Sequence, residues 1–293
     1  MAAEPAVDVV EKQEWLEPVE TGLQKAISTA YASAGPSGRK LKTFLNGAWL
    51  GHPLHPVLTD VPIGAWTTTM VLDALEGSGR RGYRRGADAA LKVGLTGAVF
   101  AAITGLTDWQ DTDGPARRVG VMHGLLNLTS AGLFAASWAA RSGGSRGAGR
   151  TLARIGFAIS MAAAYLGGNM VYGKQIGVSH TAGEPLPRDW TRVMAEADLP
   201  EGEPRRALAG EIKVLLVKRG ARIHCLAEVC SHLGGPLAEG QLDGNVIQCP
   251  WHGSRFSLND GAVLQGPATH PQPCFETRVR DGQIEIRTLR EQE

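Results

Sequence analysis

Two cysteines and two histidines near the end of the sequence form the pattern best suited to hold a metal. Cys230 and His232 are separated by one residue, Cys249 and His252 by two, and sixteen residues lie between the two pairs. Thiolates and imidazoles ligate zinc, and they also ligate iron–sulfur clusters in which two Cys hold one iron and two His hold the other. Glycine and proline residues around both pairs allow the backbone to turn tightly. The spacing therefore predicts either a zinc site or a [2Fe–2S] cluster at these four residues.

The residues around the ligands favour the cluster. The strings CSHLGGPL and CPWHGSRF, with GPATHP after them, resemble the Rieske iron–sulfur family in ligands, spacing, flanking glycines and the later proline loop. The resemblance implies that Cys230 and Cys249 bind the buried iron of a [2Fe–2S] cluster. It implies that His232 and His252 bind the outer iron, and that a redox partner protein docks near these two histidines.

The loops differ from those of the high-potential branch of that family. Where that branch has an additional cysteine in each loop, this sequence has Gly235 and Trp251, and where it has a tyrosine that hydrogen-bonds a cysteine sulfur, this sequence has Phe256. Ser254 matches the serine of that branch. Fewer donors to the sulfurs stabilise the reduced cluster less. We therefore expect a midpoint potential on the order of −150 to 0 mV, within the range of the family.

The ligands lie within a predicted small antiparallel β domain over residues 190–290, preceded by a linker over residues 176–189. Alternation of apolar and polar residues indicates strands, and Asp281-Gly282 is a strong signal for a two-residue hairpin turn. The predicted hairpins are Ile212–Lys218 with Ile223–Ala227, and Phe275–Arg280 with Gln283–Arg287.

The first part of the chain has a different composition. Residues 1–50 are polar and lack the pattern of a secretory signal peptide. Residues 51–175 contain four apolar stretches of about 19 to 22 residues, long enough for a hydrocarbon core of about 30 Å. We therefore expect a multidomain chain, with an all-α four-helix transmembrane bundle followed by the all-β domain; a soluble bundle with a very apolar core is the alternative. The stretches are Val57–Leu75, Ala89–Thr107, Val119–Ala140 and Leu152–Val171.

The bundle also carries candidate ligands. HPLHP and DVPIGAW, followed by three more helices rich in small residues, resemble a bacterial four-helix membrane family of unknown function over roughly residues 45–180. Short connectors imply antiparallel neighbours, so His52, His55, His123 and His180 are all predicted on one side of the membrane, the side of the Rieske domain. Two interpretations remain open: structural roles, or a second site that binds haem b or another metal or transfers protons.

These features indicate an electron carrier or oxidoreductase component rather than a stand-alone enzyme. A net charge of +1 gives no field that would attract nucleic acid, and few residues follow the Rieske domain in which to build the mononuclear iron site of an oxygenase. The alternatives are a haem- or quinol-linked membrane oxidoreductase and a redox sensor. We expect a multi-pass protein of the bacterial inner membrane. Its Rieske domain is expected in the cytoplasm, where such clusters are assembled, because PARRVGVMH lacks the rest of a twin-arginine export signal.

Overall fold

The computed structural model describes residues 5–79 and 81–288, which fall into two compact units. The first unit consists of the described residues up to Gly35 together with Pro53–Ile176. The second consists of Pro36–His52 and the described residues from Gly177 onward. The second unit thus contains the predicted β domain and also part of the segment that the sequence places before the bundle.

Seven α-helices occur in the described residues, rather than the four predicted from apolar stretches, and the all-α then all-β order is confirmed. The additional helices lie in the polar amino-terminal segment. Their apolar residues pack into the first unit: Val7 of α1 is buried against Val119, and Leu16, in the turn just before α2, against Trp109. The helices are α1 (Pro5–Glu11), α2 (Glu17–Ser33), α3 (Gly35–Asn46), α4 (Leu54–Gly77), α5 (Arg84–Trp109), α6 (Gly114–Ser142) and α7 (Arg146–Gly168).

Three of the described helices are long and apolar enough to cross a membrane: α5, α6 and α7, the last counted to Gly173 through a π-helical turn. The fourth predicted span, α4, has 24 residues but does not reach the same apolarity, because it carries Asp60, Asp73 and Glu76. It nevertheless belongs to the bundle, in which α4 packs mainly on α5, and α6 on α7.

The bundle exposes apolar side chains on its outer surface and buries hydroxyl groups in its interior. Large apolar side chains such as Val99, Phe100 and Leu128 are exposed. The interior contains, beside apolar residues such as Phe134, hydroxyl groups that bind backbone carbonyls, as Ser130 does with the carbonyl of Gly156 at 2.8 Å. Helices in lipid expose apolar residues and use small and hydroxyl residues where they meet. The distribution is the one expected of helices that lie in lipid.

The two hairpins of the bundle repeat one another. Interior residues of α4 recur 68 positions later on α6, and those of α5 recur 62 positions later on α7. Nδ1 of His55 lies 2.8 Å from the carbonyl oxygen of Ala101, and Nδ1 of His123 lies 2.8 Å from that of Ala163. The other equivalent pairs are Trp66 and Phe134, Thr69 and Ser137, Asp73 and Arg141, Gly94 and Gly156, and Gly105 and Gly167.

Equivalent residues also meet each other inside the bundle. The rings of Trp66 and Phe134 stack with centroids 4.1 Å apart, and those of His55 and His123 are 6.4 Å apart. A residue that contacts its own equivalent lies near a two-fold axis. The bundle is therefore two copies of a helical hairpin arranged about an approximate two-fold axis.

A buried ionic network occupies the end of the bundle opposite the two histidines. Arg141 donates to Asp73 at 2.8 Å and to Asp88 at 3.1 Å, and Arg146 donates to Asp88 at 2.8 Å and to Glu76 at 2.7 Å. Asp73 lies eighteen residues after the first histidine on α4, which is about 27 Å along a helix. Charges inside a membrane bundle are costly unless paired, and here each one has a partner of opposite sign.

The second unit contains the predicted antiparallel β domain. Its strands are β1 (Thr191–Ala195), β2 (Arg205–Ala209), β3 (Ile212–Arg219), β4 (Arg222–Ala227), β5 (Gln241–Asp243), β6 (Val246–Gln248), β7 (Arg255–Ser257), β8 (Val263–Gln265), β9 (Phe275–Arg280) and β10 (Gln283–Thr288). They form three sheets with the orders β1-β10-β9, β2-β3-β4 and β5-β6-β7-β8. Both predicted hairpins are confirmed to within one residue.

Strand β3 is buried on both faces and so connects the two cores of the domain. Val214 and Leu216 point into one core with residues of β10. Leu215 and Val217 point into the other, which also contains the two cysteines predicted as ligands. Within the same unit, Thr43 of α3 accepts a hydrogen bond from the backbone N–H of Gly266 at 3.3 Å. The loops that carry the predicted ligands are thus supported by a core on one side and by α3 near the proline loop.

Candidate metal centre

Two loops with the same backbone design position the four predicted ligands. The first follows β4 and the second connects β6 to β7. In the first, the N–H of Cys230 donates to the carbonyl of Gly235 at 2.8 Å, and the N–H of Gly234 donates back to Cys230 at 2.9 Å. In the second, Cys249 donates to Ser254 at 2.8 Å, and Gly253 donates back to Cys249 at 3.2 Å. Each cysteine therefore begins a tight turn closed by two hydrogen bonds.

Glycine is required at three positions of these turns. Gly234 and Gly253 occupy equivalent positions with φ of 78° and 74°, a left-handed conformation that side chains disfavour. At Gly235, a Cβ atom would lie 2.7 Å from Sγ of Cys249. This close approach gives a physical reason for glycine at the position where the high-potential branch has a cysteine.

The two loops bring the cysteines together and the histidines together. Both cysteines are buried, and a hydrogen bond joins the Cys230 thiol to Sγ of Cys249. The rings of His232 and His252 are half-buried, with centroids 5.1 Å apart and planes at 84°. The arrangement is one pair of thiols inside and one pair of imidazoles nearer the surface.

The surroundings of the two cysteines favour the ionised form of Cys249 and disfavour that of Cys230. The hydrogen bond from Cys230, with backbone N–H groups of Trp251 and His252, lowers the pKa of Cys249 to about 7. The same bond, together with burial, raises the pKa of Cys230. Backbone donors around cysteine sulfur are the hydrogen bonds that tune an iron–sulfur centre.

The histidine side of the site is built to stay neutral. Burial, with the charges of His252, Lys42 and His180 nearby, lowers the pKa of His232 to about 3. Neutral imidazole is the form that ligates metals. Nδ1 of His232 is buried and has no hydrogen-bond partner among residues 5–79 and 81–288. A buried nitrogen without a protein partner beside the thiol pair fits a metal ligand.

The paired arrangement of the four ligands fits a two-metal cluster better than a zinc site. A structural zinc ion needs four ligands converging on one point. Within the described part of the chain, no three His, Cys, Asp or Glu side chains are grouped closely enough for one ion. Two thiols in one pair and two imidazoles in another instead fit a [2Fe–2S] cluster, in which each iron takes two protein ligands.

Two side chains that the spacing of the motif does not reveal, those of Gln272 and Ser231, hold the loops in place. Gln272 is buried; its Oε1 accepts from the N–H of Ser231 at 2.7 Å, and its Nε2 donates to the carbonyls of Ala227 and Val229 at 2.9 and 2.8 Å. Ser231 Oγ donates to the carbonyl of His270 at 2.7 Å. Gln272 lies 42 residues beyond the first ligand, so only the fold brings it to the loop.

The structure shows where the residues compared with the high-potential branch lie. Phe256 is fully buried in the same core as both cysteines. Ser254 is fully buried and its Oγ accepts from the N–H of Ala268 at 2.9 Å. Trp251 is 57% exposed at the surface of the domain. The remaining cysteines, Cys225 and Cys274, are free thiols.

The structure separates the four histidines predicted at the membrane. His55 and His123 come together in the bundle, with ring planes at 89°. His52 and His180 belong to the second unit, where the N–H of His180 donates to the carbonyl of Ser231 at 3.0 Å. The predicted set of four therefore divides into an intramembrane pair and two residues grouped with the β domain.

Two known families match the two parts of the chain. Residues 189–276 match the family described as Rieske [2Fe-2S] domain. Residues 51–180 match the family described as Predicted membrane protein (DUF2231). Both resemblances seen in the sequence are thus confirmed, and their boundaries follow the β domain and the helical bundle.

Individual relatives match the β domain. Ferredoxin CarAc of Metapseudomonas resinovorans is 33% identical over 98 residues, covering 33% of this chain and 92% of that protein. The 3-phenylpropionate/cinnamic acid dioxygenase ferredoxin subunit of Escherichia coli K12 is 34% identical over 91 residues, covering 31% of this chain and 85% of that protein. A chain in a solved complex of reduced oxygenase and oxidized ferredoxin of carbazole 1,9a-dioxygenase is 31% identical, with 36% of this chain and 97% of that chain covered and a TM-score of 0.33.

Proposed function

The chain belongs, through its carboxyl-terminal domain, to the Rieske [2Fe–2S] family, and we propose from this premise that it is a membrane-anchored one-electron carrier. When bound, a [2Fe–2S] cluster supplies one-electron redox chemistry. Cys230 and Cys249 would hold the buried iron, and His232 and His252 the outer one. The bundle would confine the carrier to the membrane surface.

The observation that carries the proposal is the position of the imidazole pair. His232 and His252 are half-buried, whereas the thiols are buried, so the imidazoles give the shortest covalent route from the cluster to a partner. The indole of Trp251 lies beside His252, with ring centroids 6.5 Å apart, and is exposed. Large aromatic side chains with exposed apolar area are favoured at the centre of docking surfaces. We propose that a redox protein docks on Trp251 and exchanges electrons through these imidazoles.

The relatives support a carrier rather than a catalyst. They are named as a ferredoxin and as a ferredoxin subunit of a dioxygenase, and their match covers nearly all of their own length. In those proteins the matched region is the whole ferredoxin rather than one part of an oxygenase. By analogy, the partner of this chain would be an oxidoreductase that accepts or supplies single electrons at the membrane.

The helical bundle supports a location in the membrane. Its helices α5, α6 and α7 are apolar enough to span, and its match is to a predicted membrane protein family. We propose the bacterial inner membrane, with the Rieske domain on the cytoplasmic side where iron–sulfur clusters are assembled. Sided labelling tests this: Cys274→Ala with one new surface cysteine at Asp281 should react with an impermeant maleimide in inverted vesicles and not in intact spheroplasts. The opposite result would place the domain outside.

The decisive experiment is a redox titration of the full-length protein in its membranes. We expect a Rieske electron paramagnetic resonance signal that resists an alkaline carbonate wash, and uptake of one electron per chain. If the wash releases the signal, the protein is not anchored in the membrane. If iron-replete membranes show no signal, the protein is not a Rieske electron carrier. Adding a reduced quinone tests the alternative donor. If quinol alone reduces the cluster, the electron donor is quinol rather than a protein.

A partner-docking variant tests the role of the exposed indole. Trp251→Ala should leave the cluster spectrum unchanged and slow electron exchange with a reductase that reduces the wild-type protein, by about tenfold for the loss of one anchoring aromatic residue worth about 1.4 kcal/mol. Trp190→Ala, at an aromatic residue elsewhere in the domain, is the control. Equal rates for wild type and Trp251→Ala would rule out docking at this surface.

A further inference from the structure

We propose that His55 and His123 are the two protein ligands of a second metal centre, inside the helical bundle. The chemistry is that of a metal satisfied by two imidazoles on opposite sides: haem iron, or a two-coordinate copper(I) ion. The inference rests on the bundle alone and does not depend on the Rieske site. It would make the chain a two-centre redox protein rather than an anchored ferredoxin.

The hydrogen bonds of the two rings leave the ligating nitrogens unprotonated. Each Nδ1 lies 2.8 Å from a backbone carbonyl, of Ala101 for His55 and of Ala163 for His123. A carbonyl only accepts, so Nδ1 must carry the proton, and in a neutral ring Nε2 then carries a lone pair. Metal-binding histidines typically donate their second nitrogen to a carbonyl or carboxylate in this way, which fixes the tautomer and the ring orientation.

The neighbouring amide agrees with this assignment. Nδ2 of Asn127 lies 3.1 Å from Nε2 of His123 and 3.0 Å from the carbonyl oxygen of the same residue. An amide N–H donates to Nε2 only if that nitrogen carries the lone pair. On ligation the metal would take the lone pair, and Asn127 would keep its bond to the His123 carbonyl.

The separation of the rings suits ligation from opposite sides. Their centroids are 6.4 Å apart and their planes are nearly perpendicular, at 89°. With metal–nitrogen bonds of about 2 Å, two imidazoles bound in line to one metal have centroids roughly 6 Å apart. Ligation at adjacent corners of a tetrahedron would bring the centroids closer. The approximate two-fold axis of the bundle passes between these two rings, where one metal would be shared equally.

Both rings pack closely against a glycine of the neighbouring helix. A Cβ atom at Gly105 would lie 2.7 Å from Cε1 of His55, and one at Gly167 would lie 3.0 Å from Cε1 of His123. The two glycines are equivalents in the repeat, 62 positions apart. Each hairpin thus supplies one imidazole, the carbonyl that orients it and the glycine that admits it.

The ligand count selects the kind of metal. Among residues 5–79 and 81–288, no group of three His, Cys, Asp or Glu side chains could hold one ion. Zinc usually takes three or four protein ligands, more than the two imidazoles supply. Haem brings four ring nitrogens to its iron and accepts one or two ligands from the protein, and copper(I) is a soft ion that accepts imidazole.

The test uses full-length protein purified in detergent from bacteria supplied with a haem precursor and with copper. Pyridine haemochrome assay and elemental analysis measure haem and copper per chain. We expect about one haem per chain, with the spectrum of iron bound by two histidines; about one copper per chain without haem would support the same site with the other metal. The proposal is overturned if neither exceeds a tenth of the chain concentration while the Rieske signal is intact.

Variants assign the centre to the two rings. His55→Ala and His123→Ala should each remove at least nine-tenths of the bound haem or copper, whereas His52→Ala, in the second unit, should retain it. His123→Met keeps a possible haem ligand and should shift the haem spectrum rather than abolish it. An unchanged Rieske signal and elution volume show that each variant is folded. Full retention in both alanine variants would place the metal elsewhere and refute the assignment.

A pair of glycine variants tests the geometry without touching a ligand. Gly105→Ala should lower the metal content several-fold, because its methyl group would displace the ring of His55. Gly124→Ala is the matched control, since a Cβ there meets no atom within 4 Å. If both variants bound metal like the wild type, the ring position described here would not be the ligating one.

Discussion

The Rieske domain and the helical bundle each build a site by using one structural unit twice. In the Rieske domain the unit is a six-residue turn that begins at Cys230 and again at Cys249, closed by the same two hydrogen bonds. In the bundle the unit is a helical hairpin that presents His55 and again His123, each bound to a carbonyl of the second helix. Duplication places equivalent groups face to face in both, but over very different distances in the chain.

That difference decides how visible each site is in the sequence. The Rieske ligands lie within 23 residues, and the turns demand glycine and proline nearby, so the motif is dense. The two histidines proposed as ligands in the bundle lie 68 residues apart among alanines and glycines that any membrane helix contains. A local turn therefore leaves a readable signature, whereas a site between helices leaves only a repeat with a long period.

Removing one Rieske ligand should have the largest effect and should separate the two regions. Cys230→Ala leaves one iron with a single protein thiolate, so we expect complete loss of the cluster and of its two irons per chain, measured by elemental analysis and electron paramagnetic resonance. Membrane insertion should be unchanged, because no ligand of this cluster lies in the bundle.

The matched control is Cys274→Ala, at a free and only partly buried thiol, which should keep the full cluster content. If Cys230→Ala also prevented accumulation of the protein in membranes, the bundle would depend on the cluster and the two regions would not be independent.

A break in the two-fold pairing of the bundle should have the next largest effect. Asp73 and Arg141 are equivalents in the repeat, and both are buried in one ionic network. Arg141→Leu leaves a carboxylate without its main partner, and breaking a buried pair costs about 3–5 kcal/mol. We expect the free energy of unfolding to fall by this amount, measured by SDS titration of the purified protein in mixed micelles.

The double variant Asp73→Leu with Arg141→Leu distinguishes lost pairing from lost packing. Replacing a whole buried pair by apolar residues is often close to neutral, so stability should recover by more than half of the loss. Arg154→Leu, at an exposed arginine of α7, controls for charge removal alone. No recovery in the double variant would show that the packing of Arg141, rather than the ion pair, holds this end of the bundle.

The Rieske turns should respond to a change outside their own repeat. Gln272→Ala leaves the Ser231 N–H and the carbonyls of Ala227 and Val229 without their buried partner, and each unsatisfied group costs about 1–3 kcal/mol. Because water can enter and satisfy some of these groups, we expect the free energy of unfolding to fall by about 2–3 kcal/mol, close to the cost of one or two such groups. The visible absorbance of the cluster should therefore bleach at a lower urea concentration than in the wild type.

Gln241→Ala, on the exposed side of β5, is the control and should bleach at the wild-type urea concentration. If Gln272→Ala matched it, the turns would be held by their own hydrogen bonds and the amide would be dispensable.

The chemistry of the Rieske site can be predicted from the sequence more completely than that of the bundle. Hairpins such as Phe275–Arg280 with Gln283–Thr288 follow from local alternation and from Asp281-Gly282, both in the left-handed region. The role of Gln272 was not predictable, because a buried amide has no signature until the fold places it. The equivalence of Gly105 and Gly167 was present as a spacing, but apolar segments of similar composition match one another at many offsets, and only the paired contacts select the correct one.

The smallest predicted effect comes from a substitution at Phe256, in the strand that follows the second Rieske turn. Phe256 lies in the same buried core as Cys249 and Cys230, where the high-potential branch has a tyrosine that donates to a cysteine sulfur. Phe256→Tyr adds one donor to a cysteine sulfur, and this bond is stronger in the more negative, reduced cluster by at most about 1 kcal/mol, the worth of one net hydrogen bond. For a one-electron couple, in which 59 mV is a tenfold change, this predicts a rise in midpoint potential of up to about 40 mV. Voltammetry of wild type and Phe256→Tyr measures it, with Phe275→Tyr, in the other core of the domain, as the control. A fall, or an equal rise in both variants, would show that the hydroxyl does not reach the sulfur and that the potential of this cluster is set by the backbone of its turns.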